Sequence, residues 1–285
     1  MMDWLIDPFS HAFQLRALVA GSLAAVVFAV VGTWVVIRGM TFLGDALVHG
    51  VIPGIALAVL FDFNVLLGAV GAALVMIAGI NFVHRQTEFS EDTGIGLLFA
   101  GMLSVGVILI STTPNASRTL TAILFGNVLA VSASDIAVLA AVAVVSVAGT
   151  MLLFRRLVAL SFNERKAELL GLNPRATHAM LLVLITLAIV GSFQTVGTLL
   201  VFGLMVGPPA TAALLVRRIP TMMITAGAIG VFSVVTGLVI SYHADTSGSA
   251  TMALIPIVLF FTVLGAKTVT TKQRSSETSV KNSAT

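Results

Sequence analysis

This sequence has no cysteine and few charged residues. None of its 285 residues is a cysteine, which excludes thiolate chemistry. Only 9% of the residues are charged, against roughly 25% in a soluble domain, so the chain cannot cover itself with a water-facing surface. The sequence also has no GxxxxGK[ST] phosphate-binding motif, so a separate subunit must hydrolyse ATP if ATP drives this protein.

Apolar residues make up 58% of the chain, and its mean hydropathy is +1.09. A helix needs about 20 apolar residues to cross a bilayer. We therefore predict an all-α, polytopic membrane protein with nine spans: 17–37, 39–61, 65–83, 94–110, 136–154, two within 179–216 that divide at 193–195, 222–241 and 250–266. The net charge of +3 is small, and the basic residues cluster in loops, which is typical of an orientation signal rather than of nucleic-acid binding.

The apolar segment 120–131 is too short to cross, which favours a re-entrant or interfacial helix. With nine spans, Arg38 and Arg85 fall on the same side as the basic residues of 155–178, whereas a tenth span moves both to the other side. The positive-inside rule therefore favours nine spans, an external N-terminus and a cytoplasmic C-terminus. This division predicts a transmembrane domain over 1–266, with a cytoplasmic loop at 155–178, and a disordered cytoplasmic tail over 267–285.

Asp45 and His49 form the most distinctive feature of the sequence. They lie one helical turn apart, on one face of the second predicted span. Ionisable residues inside a membrane helix are costly and are functional candidates by default. A carboxylate with an imidazole suits Zn²⁺, Mn²⁺ or Fe²⁺, but two side chains do not complete a coordination shell. Two other interpretations remain open: Asp45 favours the positive end of its helix with His49 bonded to it, or the pair relays protons.

A proline and two glycines that follow this pair predict a bend and a close helix contact. Pro53 removes one backbone hydrogen bond and favours a kink. Gly50 and Gly54 leave a face on which another helix can approach closely. Gly203 and Gly207 form a second small-residue pair, and Pro208 and Pro209 are predicted to break the span that contains them.

Two polar segments are further candidates for function. His243 and Asp245, in the predicted outer loop 242–249, either guide a cation inward or belong to an ordinary solvated turn. Segment 161–174 carries helix signals, with Asn163 as a cap, Glu164 in the first turn and Gly171 as a terminator. This short amphipathic helix, which includes Glu168, is either a docking element for another protein or a helix that lies on the membrane surface.

Four segments resemble, in order and over nearly the whole chain, the permease subunits of zinc/manganese ABC importers. They are GMTFLGDALVHGVIPGIALAVL (39–60), SFNERKAELLGLNP (161–174), GSFQTVGTLLVFGLMVGPPATAALL (191–215) and SYHADTSGSATMALIPIVLF (241–260). The resemblance implies a type II importer fold in the plasma membrane. It also implies a metal site at Asp45 and His49 and an ATPase contact around Glu168 and Gly171.

The same resemblance implies a transporter subunit rather than an enzyme. Its expected partners are cytoplasmic ABC ATPase subunits, an extracellular metal-binding protein and a second permease copy, as a homodimer or a pair. The transported ion would be Zn²⁺ or Mn²⁺, or Fe²⁺ as in some members, with no permanently bound cofactor. The alternatives are a secondary metal transporter driven by an ion gradient, whose helices usually carry more ionisable pairs, and a membrane enzyme, which needs a fuller set of acids and histidines.

Overall fold

The structure is a computed structural model that describes residues 7–86, 91–112, 126, 131–162, 164–169 and 171–283. All regular structure in these residues is helical. A 3₁₀ turn, Asp7–Ser10, precedes ten α-helices: α1 (Ala12–Ile37), α2 (Thr41–Gly50), α3 (Ile52–Leu60), α4 (Val65–Gln86), α5 (Glu91–Ser111), α6 (Ala133–Phe162), α7 (Glu164–Leu169), α8 (Pro174–Leu215), α9 (Ile219–Ala244) and α10 (Gly248–Ser283).

Nine stretches of the described chain are long and apolar enough to span a membrane, which confirms the predicted number. The second span consists of two helices, α2 and α3, that meet at Val51. The sixth and seventh spans, Pro174–Phe193 and Thr195–Leu215, both belong to α8. They meet close to Gly197, whose φ of 77° is not helical, so the predicted division of this apolar block is also confirmed.

The centre of the bundle consists of α1, α2, α3 and α8, and the remaining spans lie around it with more of their surface exposed. Helix α1 packs against α6, α8 and α9, and α8 also packs against α10. Alanines at 17, 20 and 24 are fully buried, which lets neighbouring helices approach α1 closely. Phe28, nearer the middle of α1, and Trp34, near its end, are large side chains that are also fully buried.

Glycines allow the closest contacts between spans. A Cβ atom added at Gly54 would overlap the carbonyl oxygen of Gly68, and one added at Gly68 would overlap that of Gly54. At the predicted pair Gly203 and Gly207, a Cβ on Gly203 would lie 2.9 Å from the Cβ of Ala253, and one on Gly207 would lie 2.9 Å from Pro256. Both glycine pairs therefore bring α-helices together, as small residues do inside membranes.

The two prolines of α8 do not break the helix, contrary to the prediction. Pro208 and Pro209 lie inside α8, which continues to Leu215. Proline at 209 cannot donate to the carbonyl of Met205, four residues earlier. That carbonyl lies against Gly32 of α1, where the absence of a side chain leaves room for it.

Several helices extend further than the sequence predicts. Helix α6 runs to Phe162, and its last turns include Arg155 and Arg156, which the sequence pattern assigns to a loop. Helix α9 runs to Ala244, which shortens the outer loop to three residues before Gly248. Helix α10 continues to Ser283, where the sequence predicts a disordered tail, because residues 267–283 contain neither glycine nor proline to stop it. The predicted re-entrant segment 120–131 falls almost entirely outside the described residues.

Candidate functional site

A tight turn between α1 and α2 positions the acid–imidazole pair. Gly39 has a φ of 67°, and the N–H groups of Gly39 and Met40 donate to the carbonyls of Val36 and Val35. This is a Schellman motif, which needs a residue that tolerates positive φ, and glycine meets that need at no steric cost. The turn ends α1 cleanly and starts α2 at Thr41, one turn before Asp45.

Asp45 and His49 meet on one face of α2. His49 Nε2 lies 3.5 Å from Asp45 Oδ1, and their side chains are 28% exposed for Asp45 and 25% for His49. The predicted helix and its i,i+4 geometry are therefore present. Neither side chain is sealed in the core, so both remain within reach of an ion or of another chain.

Phe99 of α5 contacts the imidazole of His49 edge to face, with ring centroids 6.0 Å apart. The ring of Phe99 also contacts that of Phe42 in α2, with centroids 6.3 Å apart. Such pairs favour one orientation of the rings, so Phe99 helps to orient His49. Sequence reasoning missed Phe99, because one aromatic residue in an apolar helix carries no signal of its own.

The second span is interrupted directly after the pair. Helix α2 ends at Gly50, and α3 begins at Ile52 with Pro53 in its first turn, where proline lacks only an N–H that would be unpaired anyway. A Cβ on Gly50 would lie 3.4 Å from Cγ of Met76, in α4. Gly44 is covered in the same way by Met205 of α8. Two buried methionines thus hold α2 on either side of the Asp45–His49 turn.

Within the described part of the chain, no group of three or more His, Asp or Glu side chains could hold a metal ion. Asp45 and His49 therefore offer two donor groups from one chain. Divalent transition metals bind about four to six ligands, so a metal at this position needs further donors from water, backbone or another chain.

His243 lies in the last turn of α9, and Asp245 is the first residue of the short loop that follows it. Nδ1 of His243 is 2.9 Å from the carbonyl of Val239, and the ring of Tyr242 contacts that of His243 at 5.2 Å. Asp245 takes the left-handed C-cap position with a φ of 48°. On the other side, Tyr242 contacts His11 at 6.0 Å, so this end of α9 packs against the start of α1.

The predicted helix in 161–174 is present as α7, from Glu164 to Leu169, whereas Asn163 lies outside the described residues. Gly171 has a φ of 71°, and its N–H donates to the carbonyl of Glu168 over 3.0 Å. Leu172 donates to Ala167, which completes a second Schellman ending. The side chain of Glu168 is exposed and that of Ala167 is buried, so α7 has one face on the bundle and one facing outward.

Comparison with known proteins decides the family. The profile of the ABC 3 transport family matches residues 10–267. The chain belongs to the ABC 3 transport family. It is 35% identical to the "Manganese transport system membrane protein MntC" of Listeria monocytogenes, over 91% of this chain and 92% of that protein. It is 31% identical to a "Probable iron transport system membrane protein" of Haemophilus influenzae, over 93% and 97% of the two chains.

Among solved structures, "PsaBC from Streptococcus pneumoniae in complex with Fab" has a similar fold. The TM-score is 0.83 at 30% identity, over 92% of this chain and 95% of that one. This ABC 3 family chain is therefore a membrane-spanning permease subunit of an ABC transporter. Family membership excludes the ion-gradient-driven alternative.

Proposed function

We propose that this chain is the permease of an ATP-driven importer for a divalent transition metal, with Mn²⁺ as the first candidate. The Asp45–His49 pair carries the proposal, because it places a carboxylate and an imidazole 3.5 Å apart inside a membrane span. Relatives named as manganese transporters support Mn²⁺, and the relative named as an iron transporter keeps Fe²⁺ as a competitor. Zn²⁺ fits the same donors.

The incomplete donor set is a property suited to transport. Asp45 and His49 alone bind an ion weakly, and an ion that is to be released must not be held by a full, rigid shell. The remaining donors would come from water and from the same two residues of a second permease copy. A cation between the carboxylates would offset the cost of keeping Asp45 inside the membrane.

Helix α7 is the proposed docking element for a separate ATPase. The exposed carboxylate of Glu168 follows Glu164, and two large apolar side chains beside them point away from the bundle, with Phe162 79% and Leu169 87% exposed. Exposed apolar groups next to charges are typical of a protein contact. Gly171 ends the helix and thereby sets the direction in which the chain leaves α7 toward α8.

The remaining assignments complete the importer. We propose that the N-terminus is outside and the C-terminus in the cytoplasm, as the basic ends of α6 and α8 indicate. His243 and Asp245 then lie at the outer mouth, where an extracellular metal-binding protein would deliver the ion. Region 1–266 is the transmembrane domain, with 155–178 as its cytoplasmic docking region, and no cofactor is held permanently.

Metal uptake tests the site directly. Cells that co-express the chain with its partner ATPase and binding protein should take up Mn²⁺, and removal of either component should abolish uptake. Asp45→Ala and His49→Ala should each lower uptake by at least the roughly 10- to 100-fold that the loss of a residue supporting a metal ligand causes. Competition with Zn²⁺ and Fe²⁺ identifies the preferred ion.

The matched control is Asp62→Asn, which removes an exposed carboxylate just after α3. Its φ of 53° suits asparagine as well as aspartate. Equal expression and equal ATPase co-purification of all variants are required. Normal uptake by both Asp45→Ala and His49→Ala would remove the metal site from this helix and leave Asp45 as a structural residue.

A further inference from the structure

A cavity of about 590 Å³ opens between the end of α8 and α10, far along the chain from the Asp45–His49 pair. Residues 213–217 form one wall, and Val263, Ala266 and Lys267 form the other. The two membrane spans that border the cavity end at Leu215 and Val269. The cavity therefore lies at the boundary between the apolar part of the bundle and the polar layer, and we call it the Arg217 pocket.

Two of the eight lining residues are charged, Arg217 and Lys267, and both are basic and exposed. Nζ of Lys267 donates to the carbonyl of Leu214 over 2.6 Å, which fixes the ammonium group at the rim. This bond also places a positive charge against the negative C-terminal end of α8. None of the eight lining residues is acidic, so the lining itself carries two positive charges.

The rest of the lining is apolar. Leu215 is 55% exposed, and Val216 and Val263 are half-buried. Val258 and Phe261, which precede the pocket residues in α10 and lie nearer the middle of its span, are also largely exposed. A ligand that fills this pocket thus needs an anionic head that meets the two basic groups and an apolar part that follows the exposed surface of the spans.

We propose that the Arg217 pocket binds the phosphate group of an anionic phospholipid. The phosphate would lie between Arg217 and Lys267, with an acyl chain along Leu215 and Val263. Basic pockets between membrane helices on the cytoplasmic side are suited to anionic head groups, and a guanidinium recognises phosphate by two parallel hydrogen bonds. A free phosphate ion would use the charges but would leave the apolar wall uncovered.

The competing explanation is that Lys267 only caps α8. In that case the ammonium group of Lys267 serves only as a donor to the Leu214 carbonyl, and Arg217 faces water without a ligand. The two explanations differ in one measurable property, since a cap needs no lipid and a lipid site discriminates between anionic and zwitterionic head groups.

The test uses the full-length permease in nanodiscs that contain equal amounts of phosphatidylglycerol and phosphatidylcholine. Native mass spectrometry then measures the ratio of the two lipids that remain bound after release. The wild type should retain phosphatidylglycerol preferentially. Arg217→Gln should lower this preference about fivefold, and Arg217→Gln with Lys267→Gln should lower it roughly 30-fold, since each basic residue near an anionic surface has a similar effect.

The matched control is Arg155→Gln with Arg156→Gln, which removes two exposed basic residues from the end of α6. Phe154 of α6, next to these two arginines, contacts Trp34 near the end of α1. The two arginines therefore lie at the same basic end of the bundle that the span order predicts for Arg217. The control should keep the lipid preference. An equal loss in the control, or a wild type without preference, would overturn the proposal.

Competition with inorganic phosphate distinguishes a site for a lipid phosphate group from a site for a soluble phosphate ion. Addition of millimolar phosphate before release should leave the bound phosphatidylglycerol in place. Displacement of the lipid by phosphate would overturn the lipid assignment and indicate a site for a soluble anion. The single variant Arg217→Gln leaves the Lys267–Leu214 hydrogen bond in place, so we expect it to fold like the wild type. Thermal unfolding of both proteins in pure phosphatidylcholine checks that their stabilities are equal.

Discussion

Gly32 of α1 lies directly against the carbonyl oxygen of Met205 in α8, the carbonyl whose helical donor is missing because residue 209 is proline. The contact joins two of the three most buried spans of the described chain. It also bears on the candidate site, because the side chain of the same Met205 covers Gly44, one residue before Asp45. The position of α2 therefore depends on how closely α1 and α8 approach.

Gly32→Ala should destabilise the permease. The added Cβ would overlap the Met205 carbonyl, which is backbone and cannot rotate away, and overpacking of this kind costs typically about 1–3 kcal/mol. Thermal unfolding in detergent, followed by size-exclusion chromatography, measures the loss. Gly71→Ala is the control, because no described atom outside the adjoining helix backbone lies within 4 Å of a Cβ at that position. Equal stability of the two variants would contradict the contact.

Phe99→Leu should reduce Mn²⁺ uptake without abolishing it. The substitution keeps apolar volume but removes the ring that orients His49, and aromatic contacts of this type correspond to roughly a two- to tenfold effect. The same substitution at Phe82, which is 65% exposed on α4, serves as the control. If uptake falls no further for Phe99→Leu than for Phe82→Leu, Phe99 has no part in the site.

Gly171→Val should weaken co-purification of the ATPase, whereas Gly171→Asn should largely preserve it. The backbone at 171 has a positive φ, which a β-branched residue adopts at a cost of about 1–2 kcal/mol and asparagine adopts more readily. Apart from the adjacent residues, no atom of the described chain lies within 4 Å of a Cβ there, so the difference reflects backbone conformation and not a clash. Equal ATPase recovery with both variants would separate Gly171 from docking.

Single cysteines should report the orientation without background, because the chain has none of its own. Ser247→Cys, in the turn before α10, should react with a membrane-impermeant maleimide in intact cells. Arg218→Cys, at the start of α9, should react only after the membrane is opened. Both positions are exposed. The reverse pattern would place the C-terminus outside and contradict the nine-span orientation.

The sequence was sufficient for the number of spans and for the acid–imidazole pair, since both depend on local patterns. Apolar length predicts a span wherever it occurs, and the i,i+4 spacing of Asp45 and His49 brings the two groups together in any α-helix. Gly171 and Pro53 also act locally, through φ and a missing N–H. Helix ends were predicted less well, because neither the polar residues after Phe154 nor those after Ala266 stop a helix by themselves.

Three features depend on which helices become neighbours, and that information is not contained in any local pattern. Phe99 becomes part of the site only because α5 packs against α2. The carbonyl that Pro209 leaves without its helical donor has room because the neighbouring residue on α1 is Gly32. Arg217 and Lys267, far apart in the sequence, line one pocket because α10 returns along the end of α8. The sequence alone thus determined a membrane protein with a carboxylate–imidazole pair in its second span, and tertiary packing decided what surrounds that pair and which residues line the Arg217 pocket.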